Sequence, residues 1–546
     1  MKLRPCFSLV FLIGFVYGNL TLQPAKCAEP SPNFLAGAGS HPNVLFLAID
    51  DLNDWIGATG GHPQAKTPNL DRLIKKSILF SNAHCAAPVC GASRHALLSG
   101  LRPSTTGWYT NGSKGKKNYE KALGETIPLP THFKRNGYKT MAAGKIFHKG
   151  TSDVRGYDYW DETRPKYKWP KALAARGHGY QGDNDGHFHP FPRDGGAIYQ
   201  KYQKGISGQS LCWGALEKSD MPPEGMPDEQ IAAWAVDRLK QKHDKPFFLA
   251  VGFVRPHVPY TAPKEFFDLY PLEDIVMPKV PNDEMDDIPL LGKAMAYGTI
   301  QGGDHRNVLD IGPNYWREMV RAYLACVSFA DAQAGKVLRA LEASPHAKNT
   351  IVVFWSDHGQ HLGEKRHWRK QALWEESTRV PLAIHLPRSV NGGKTCGQAV
   401  SLIDIYPTML ELCNLPGVKG LEGTSLLPQL KNPATSRAEP AITTWHYKNH
   451  AARSLNFRYI RYRDGTEELY DHRSDPNEHH NLAGDSKFAR LKEKLGAYMP
   501  KNNIIPSSIK DGGTDALGRE APQRGCSKMV GGQTGTLAKV KNRNAP

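Results

Sequence analysis

The chain has 546 residues, with Lys+Arg 70 against Asp+Glu 53 and a formal charge of +17. That length exceeds a single small core and predicts one large domain plus a smaller one. The positive balance favours polyanions, but it is spread along the chain with no recognisable nucleic-acid fold. Nucleic acid is therefore set aside as a partner.

Lys2 and Arg4, the apolar run Phe7–Val16 and then Ala25-Lys26-Cys27-Ala28 have the layout of a signal peptide, assigned to residues 1–28. Lys26 before Cys27 argues against a lipid anchor. No later segment reaches the ~20 apolar residues of a membrane helix. The expectation is an exported protein, periplasmic or secreted, soluble and without a membrane span, for which a sulfated polysaccharide suits the basic surface.

Val44–Ile49 is an unbroken apolar run that stops at Asp50, the pattern of a central strand covered on both faces. Thr67-Pro68 opens a helix with Leu70, Leu73 and Ile74 on one face. Phe247–Gly252 and Ile351–Trp355 read as further buried strands, and Ile231–Lys240 and Trp316–Leu341 as helices. Alternation of this kind predicts an α/β fold, a large mostly parallel (mixed) sheet sandwiched by helices. Residues 163–227 are polar and rich in Gly, Pro, His and Lys, an insertion in that domain or a poorly ordered stretch. After about Pro433 the character changes. Tyr459–Arg463 and Glu468–Asp471 read as short strands, followed by a helix near Phe488–Tyr498, giving a smaller α+β subdomain with a short antiparallel sheet. The expected boundaries are 40–436 for the large domain, 437–510 for the small one and 511–546 for a basic, flexible tail holding Arg524, Lys528, Lys539, Lys541 and Arg543.

Of nine cysteines, Cys6 and Cys27 fall in or beside the signal segment. Cys85, Cys212, Cys326, Cys396, Cys413 and Cys526 could pair in an exported chain, with connectivity open. The absence of a CxxC argues against zinc, and Cys326 and Cys413 read as buried thiols among apolar neighbours.

The remaining cysteine, Cys90, stands in Pro88-Val89-Cys90-Gly91-Ala92-Ser93-Arg94, between two acidic strand ends. Asp50 and Asp51 end one strand, and Asp357-His358 follow another. Three carboxylates and an imidazole suit a hard divalent cation, Ca²⁺ ahead of Mg²⁺. A helix beginning at Cys90 would put Arg94 one turn away on the same face, with free N–H groups aimed at an anion.

Together these segments resemble the formylglycine-dependent sulfatases of the alkaline phosphatase superfamily, closest in pattern to iduronate-2-sulfatases and bacterial polysaccharide sulfatases. The resemblance runs from about Asn43 to Leu482, with Ala92 where the commonest signature has Pro. Gly144-Lys145-Ile146-Phe147-His148 and Arg255-Pro256-His257-Val258-Pro259 are similar to two further family elements, Arg255 standing where relatives have Lys. Lys370, thirteen residues beyond Asp357, has the spacing of a sulfate-binding lysine. Leu469-Tyr470-Asp471 through Asn481-Leu482 is similar to the ending of many sulfatases.

The resemblance implies that a formylglycine-generating enzyme oxidises Cys90 during maturation. It places Asp50, Asp51, Cys90, Asp357 and His358 around the cation, and Cys90, Arg94, Lys145, His148, His257 and Lys370 in catalysis. One hydroxyl of the hydrated aldehyde attacks sulfur, the cationic groups stabilise the charged oxygens, and His257 protonates the leaving oxygen. His148 then deprotonates the second hydroxyl, which expels sulfate. The expected substrate is a sulfated oligo- or polysaccharide, glycosaminoglycan included. Two alternatives stay open: a phosphonate or phosphate-ester hydrolase, and a non-catalytic glycan-binding protein with Cys90 unmodified. Tyr157-Asp158-Tyr159-Trp160 and the loop of His178, His187 and His189 could line a substrate groove, or be ordinary packing and solvated surface.

Overall fold

The computed structural model describes residues 41–111, 123, 126–148, 150–151, 158–165, 180–182, 188–190, 211–297, 303–387 and 389–505. The signal segment 1–28, Tyr157, His178, His187, Cys526 and the tail 511–546 lie outside them.

The principal sheet contains β1 (Asn43–Ile49), β2 (Ile78–Phe80), β3 (Lys139–Gly144), β4 (Glu162–Thr163), β5 (Phe247–Phe253), β6 (Thr350–Ser356), β7 (Leu382–His385) and β8 (Thr395–Cys396). Their spatial order is β8-β2-β7-β6-β1-β5-β3-β4. Only β7 runs antiparallel to its neighbours; every other pairing is parallel. The principal helices are α1 (Pro68–Ile74), α2 (Cys90–Ser99), α3 (Pro227–Lys240), α4 (Tyr315–Ala343), α5 (Ile405–Leu412) and α6 (Ala489–Gly496).

All seven residues of β1 are buried, because both faces of the sheet are covered. Leu45, Leu47 and Ile49 enter one core with α3 and α4, while Val44, Phe46 and Ala48 enter the other with α5. Full burial of each large apolar side chain contributes about 1.5–3 kcal/mol, so β1 anchors both layers. The expected strands and helices are present, each with ends shifted by a few residues. Within 163–227 the described residues include a hairpin, Tyr180–Gly182 with Phe188–Pro190, and Trp213–Leu216 paired with Tyr260–Pro263.

A second sheet near the C-terminus is antiparallel, with strands β9 (Ala441–Thr444), β10 (His450–Arg453), β11 (Phe457–Arg461) and β12 (Glu467–Asp471) in that order. The sequence reading found β11, β12 and α6 but not β9 or β10, which are short and rich in Ala, Thr and His. One face of this sheet packs with Trp374, Trp108 and Leu291 of the larger layer. The other covers α6 through Leu495 and Met499. Six cysteines, Cys85, Cys90, Cys212, Cys326, Cys396 and Cys413, are buried free thiols.

Register decides where the site forms. Ile49 lies opposite both Phe253 and Ser356, and Gly144 lies opposite Gly252. Four adjacent parallel strands therefore end level, and their following loops carry Lys145, His257, Asp50-Asp51 and Asp357-His358. Gly252 has no room for a side chain, since a Cβ would stand 2.2 Å from the Lys145 carbonyl oxygen. Gly252→Ala should therefore displace Lys145 and cost about 1–3 kcal/mol, measured by thermal melting.

Candidate active site

Asp50 and Asp51 follow β1 directly, and alternation along a strand would aim them at opposite faces. The backbone solves this at Asp51, which adopts a left-handed conformation with φ 58. Both carboxylates then face one point. Tyr323 of α4 holds the turn by donating its hydroxyl to the Asp51 carbonyl at 2.9 Å.

Helix α2 begins at Cys90 itself, after an extended Val89. The Gly91 N–H donates to Asn111 Oδ1 at 2.7 Å, which caps the helix from outside. One turn on, Arg94 is fully buried. Its Nε donates to Asp357 Oδ2 and its Nη2 to Asp50 Oδ1, each at 2.9 Å. Its Nη1 donates to the carbonyls of Lys145 and Ile146. Arg94 thus binds the two acidic strand ends and the Lys145 segment together, and does not touch the Cys90 sulfur.

Cys90 is 0 % exposed. Its sulfur lies 3.1 Å from Lys370 Nζ, 3.2 Å from His358 Nε2, 3.6 Å from Lys145 Nζ and 3.8 Å from Asp51 Oδ1. Burial alone would raise the thiol, but Lys145 and Lys370 outweigh it and bring its pKa to about 7. Burial dominates at Asp51 and lifts it to about 7 despite Lys370. At Asp50 burial is overcome by Lys145 and Arg94, which hold the carboxyl well below the usual range. Burial would lower His358, yet Asp357 and Cys90 raise it to about 9.

Lys370 Nζ also reaches Asp51 Oδ1 at 2.6 Å. Lys365 and Arg366, its neighbours in sequence, go elsewhere, to the carbonyls of Glu478 and Asn282. His148 and His257 are half-buried and stand outside the contacts of the sulfur. His257 Nδ1 donates to the Val258 carbonyl at 2.6 Å, and its charge acts on Asp50. Arg255 is buried and braces that loop, donating to Thr261 O at 2.7 Å and His257 O at 2.9 Å. Asp228 orients the same loop by accepting from the Val254 and Arg255 N–H groups at 2.9 and 2.8 Å. Ser93 Oγ, inside the cysteine motif, donates to the Asp357 carbonyl. Asn111, Tyr323 and Asp228 escaped the sequence reading, because their roles are created by distant contacts and leave no local pattern. Tyr159 is buried against Phe147, so its ring is packing and not groove lining.

Five donors, one each from Asp50, Asp51, Cys90, Asp357 and His358, are buried and lie within 4.8 Å of one another. Three carboxylate groups and an imidazole in this arrangement fit a hard divalent cation. The surrounding Lys145 and Lys370 make the same point attractive to an oxyanion.

Comparison with known proteins agrees with this arrangement. The family model described as Sulfatase matches residues 42–415, and that described as N-sulphoglucosamine sulphohydrolase, C-terminal, matches residues 363–503. A sulfatase of Formosa agariphila is 41% identical over 469 residues, covering 85% of this chain and 87% of the relative. Iduronate 2-sulfatase of Mus musculus is 31% identical over 422 residues, 68% of this chain and 69% of the relative. A crystal structure of phosphonate monoester hydrolase of Agrobacterium radiobacter shares the fold, with a TM-score of 0.65 at 20% identity over 86% of this chain and 97% of that one. The chain belongs to the sulfatase family. It is a sulfuric ester hydrolase.

The charge environment of residue 90 is testable in unmodified, metal-free protein. Lys370→Met removes a cation beside the thiol and should raise its pKa by about one unit or more. Thiolate ultraviolet absorbance against pH measures the shift, and the burial-raised thiols of Cys85, Cys326 and Cys413 stay silent near neutrality.

Proposed function

We propose that this chain is exported and hydrolyses sulfate monoesters on a sulfated glycan, using Cys90 after its conversion to formylglycine. The observation that carries the reading is the position of Cys90. It is the first residue of a helix, ringed by Lys145, Lys370 and His358 and set against three carboxylates. The name of the mouse relative, iduronate 2-sulfatase, supports a glycosaminoglycan-type substrate.

Hydration of the aldehyde would supply two hydroxyls, one to attack sulfur and one to release it, a facility that plain cysteine lacks. A divalent cation, Ca²⁺ ahead of Mg²⁺, held by Asp50, Asp51, Asp357 and His358, would supply Lewis-acid stabilisation of developing charge. The chain's own groups do the rest. Lys145 and Lys370 bind the sulfate oxygens, and Arg94 keeps Asp50 ionised and holds Asp357 in place. His257 holds a proton for the departing sugar oxygen, its ring oriented through Nδ1 by the Val258 carbonyl. His148 stands on the Lys145 segment to accept the proton of the second hydroxyl. The segment Pro88–Arg94 would be what the formylglycine-generating enzyme reads, and residues 1–28 the signal for export.

A phosphonate or phosphate ester is the second reading, favoured by the same lysines, which attract either oxyanion. Turnover of matched aryl sulfate and aryl phosphonate esters separates the two, with the sulfate expected to be preferred.

The first test is mass spectrometry of the tryptic peptide Ser77–Arg94 from protein coexpressed with a formylglycine-generating enzyme. Residue 90 should lose the mass difference between H₂S and O, while Cys85 in the same peptide remains a thiol and serves as control. Persistent cysteine at 90 in active protein would sink the mechanism. His257→Ala should slow glycan sulfates by about 10²–10⁴-fold and aryl sulfates, with their better leaving groups, far less. Equal losses on both would remove His257 as the acid.

A further inference from the structure

Away from Cys90, a cavity of about 410 Å³ opens between the loop after β1, the segment 276–284 and the turn 476–479. None of the residues around Cys90 lines it. Four carboxylic acids do: Asp54, Glu284, Glu364 and Glu376. A fifth, Glu375, is already bound by Arg453 and Arg458.

The neutralising groups fall short. Arg379 pairs with Asp54 at 2.8 Å, and buried Lys365 acts on Glu284 and Glu376 while its Nζ bonds the Glu478 carbonyl. Lys279 stands exposed at the rim. His62 and His479 are kept neutral, since burial lowers both. Arg366 adds a weaker pull on Glu284, while Glu364 is met chiefly by the Leu362 backbone N–H.

The unpaired atoms point the same way. The Glu284 side chain is 1 % exposed; the Lys365 and Arg366 backbone N–H groups act on its carboxyl, but Oε1 has no hydrogen-bond partner. An ionised oxygen buried in this way costs several kcal/mol unless something binds it. Glu376, with 20 % of its side chain exposed, has an Oε2 equally without a partner. Behind it, 3.9 Å away, is His361, fully buried with both ring nitrogens unpartnered. Burial raises Glu364 to about 7 and, with Glu364 beside it, pushes Glu376 well above the carboxylate range. At both carboxyls burial outweighs the nearby cations.

We propose that this cavity binds a divalent cation distinct from the one at Cys90, with Glu284 and Glu376 as its principal ligands and Glu364 beside them. Among the described residues, Glu284, Glu364 and Glu376 do not approach one another within 4.8 Å as the five donors near Cys90 do. The ion therefore keeps part of its water, as Mg²⁺ commonly does and Ca²⁺ does in open sites. Bound there, it ties the segment that carries Glu284 to the one that carries Glu364 and Glu376.

Wild type and the Glu284→Gln/Glu376→Gln variant, each full length, would be stripped with chelator and dialysed against Ca²⁺ or Mg²⁺ alone. Bound metal is then counted by atomic emission, and any ion at Cys90 cancels between the two proteins. The expected result is one ion fewer per chain in the variant, with a metal-induced rise in melting temperature a few degrees smaller. Equal ion counts in the two proteins would overturn the proposal. Melting without metal guards against a misfolded variant: the amides remove buried repulsion, so the stripped variant should melt no lower than stripped wild type. A lower value would mean that the protein's own groups already satisfy these carboxylates, and would overturn the proposal.

Discussion

The site depends on one buried guanidinium. Arg94 binds the ends of two parallel strands through Asp50 and Asp357 and the start of a third loop through two carbonyls, all at zero exposure. Burying three charges carries a large desolvation cost, repaid only when each donor meets an acceptor in good geometry. Removing one member would leave the others uncompensated, typically a loss of 3–5 kcal/mol. The same bonds hold Asp50 ionised and both carboxylates in place, where they could receive a cation.

A second buried network holds Lys370. Its segment is strained, with positive φ at Lys365, Arg366, Arg369 and Gln371. Non-glycine residues keep such conformations only where surrounding structure over-determines them. Here the His367 ring sits between the carbonyls of Ala296 and Lys370, 2.8 Å from each, and its N–H can donate to one of them. Just downstream, Arg458 of β11 donates to the Leu373 carbonyl at 3.0 Å, and Glu478 accepts from the Glu375 N–H at 2.9 Å. Arg458 also pairs with Glu375 and Glu478. Glu375, His472 and Glu478 would otherwise form a ligand triad, but their oxygens are spent on arginine. The C-terminal sheet thus serves the site from a distance, by fixing the backbone that presents Lys370.

Most of the principal sheet was legible because burial on both faces leaves unbroken apolar runs, as in Val44–Ile49 and Ile351–Trp355. The short strands β9 and β10 were not, since Ala, Thr and His carry no strong period and become strands only by pairing with β11. The site residues were legible as chemistry: Asp50, Asp51, Cys90, Asp357 and His358 stand in short motifs whose types imply a cation and a nucleophile. Lys370 was legible only by spacing from Asp357, and its distinction from Lys365 and Arg366 came from the strained backbone.

By itself, the sequence determined the layer architecture and the inventory of reactive groups, because hydrophobic runs and residue types are local properties. The tertiary structure decided their convergence. Strand register brings Lys145, Asp50 and Asp357 to one edge, and the left-handed turn at Asp51 aims two neighbouring carboxylates at one point. It also assigned Arg94 to the carboxylates, left Arg255 bracing a loop, and gathered Glu284, Glu364 and Glu376 from distant segments into a second acidic cavity. Such arrangements arise from contacts between residues far apart in the chain, and no local pattern encodes them.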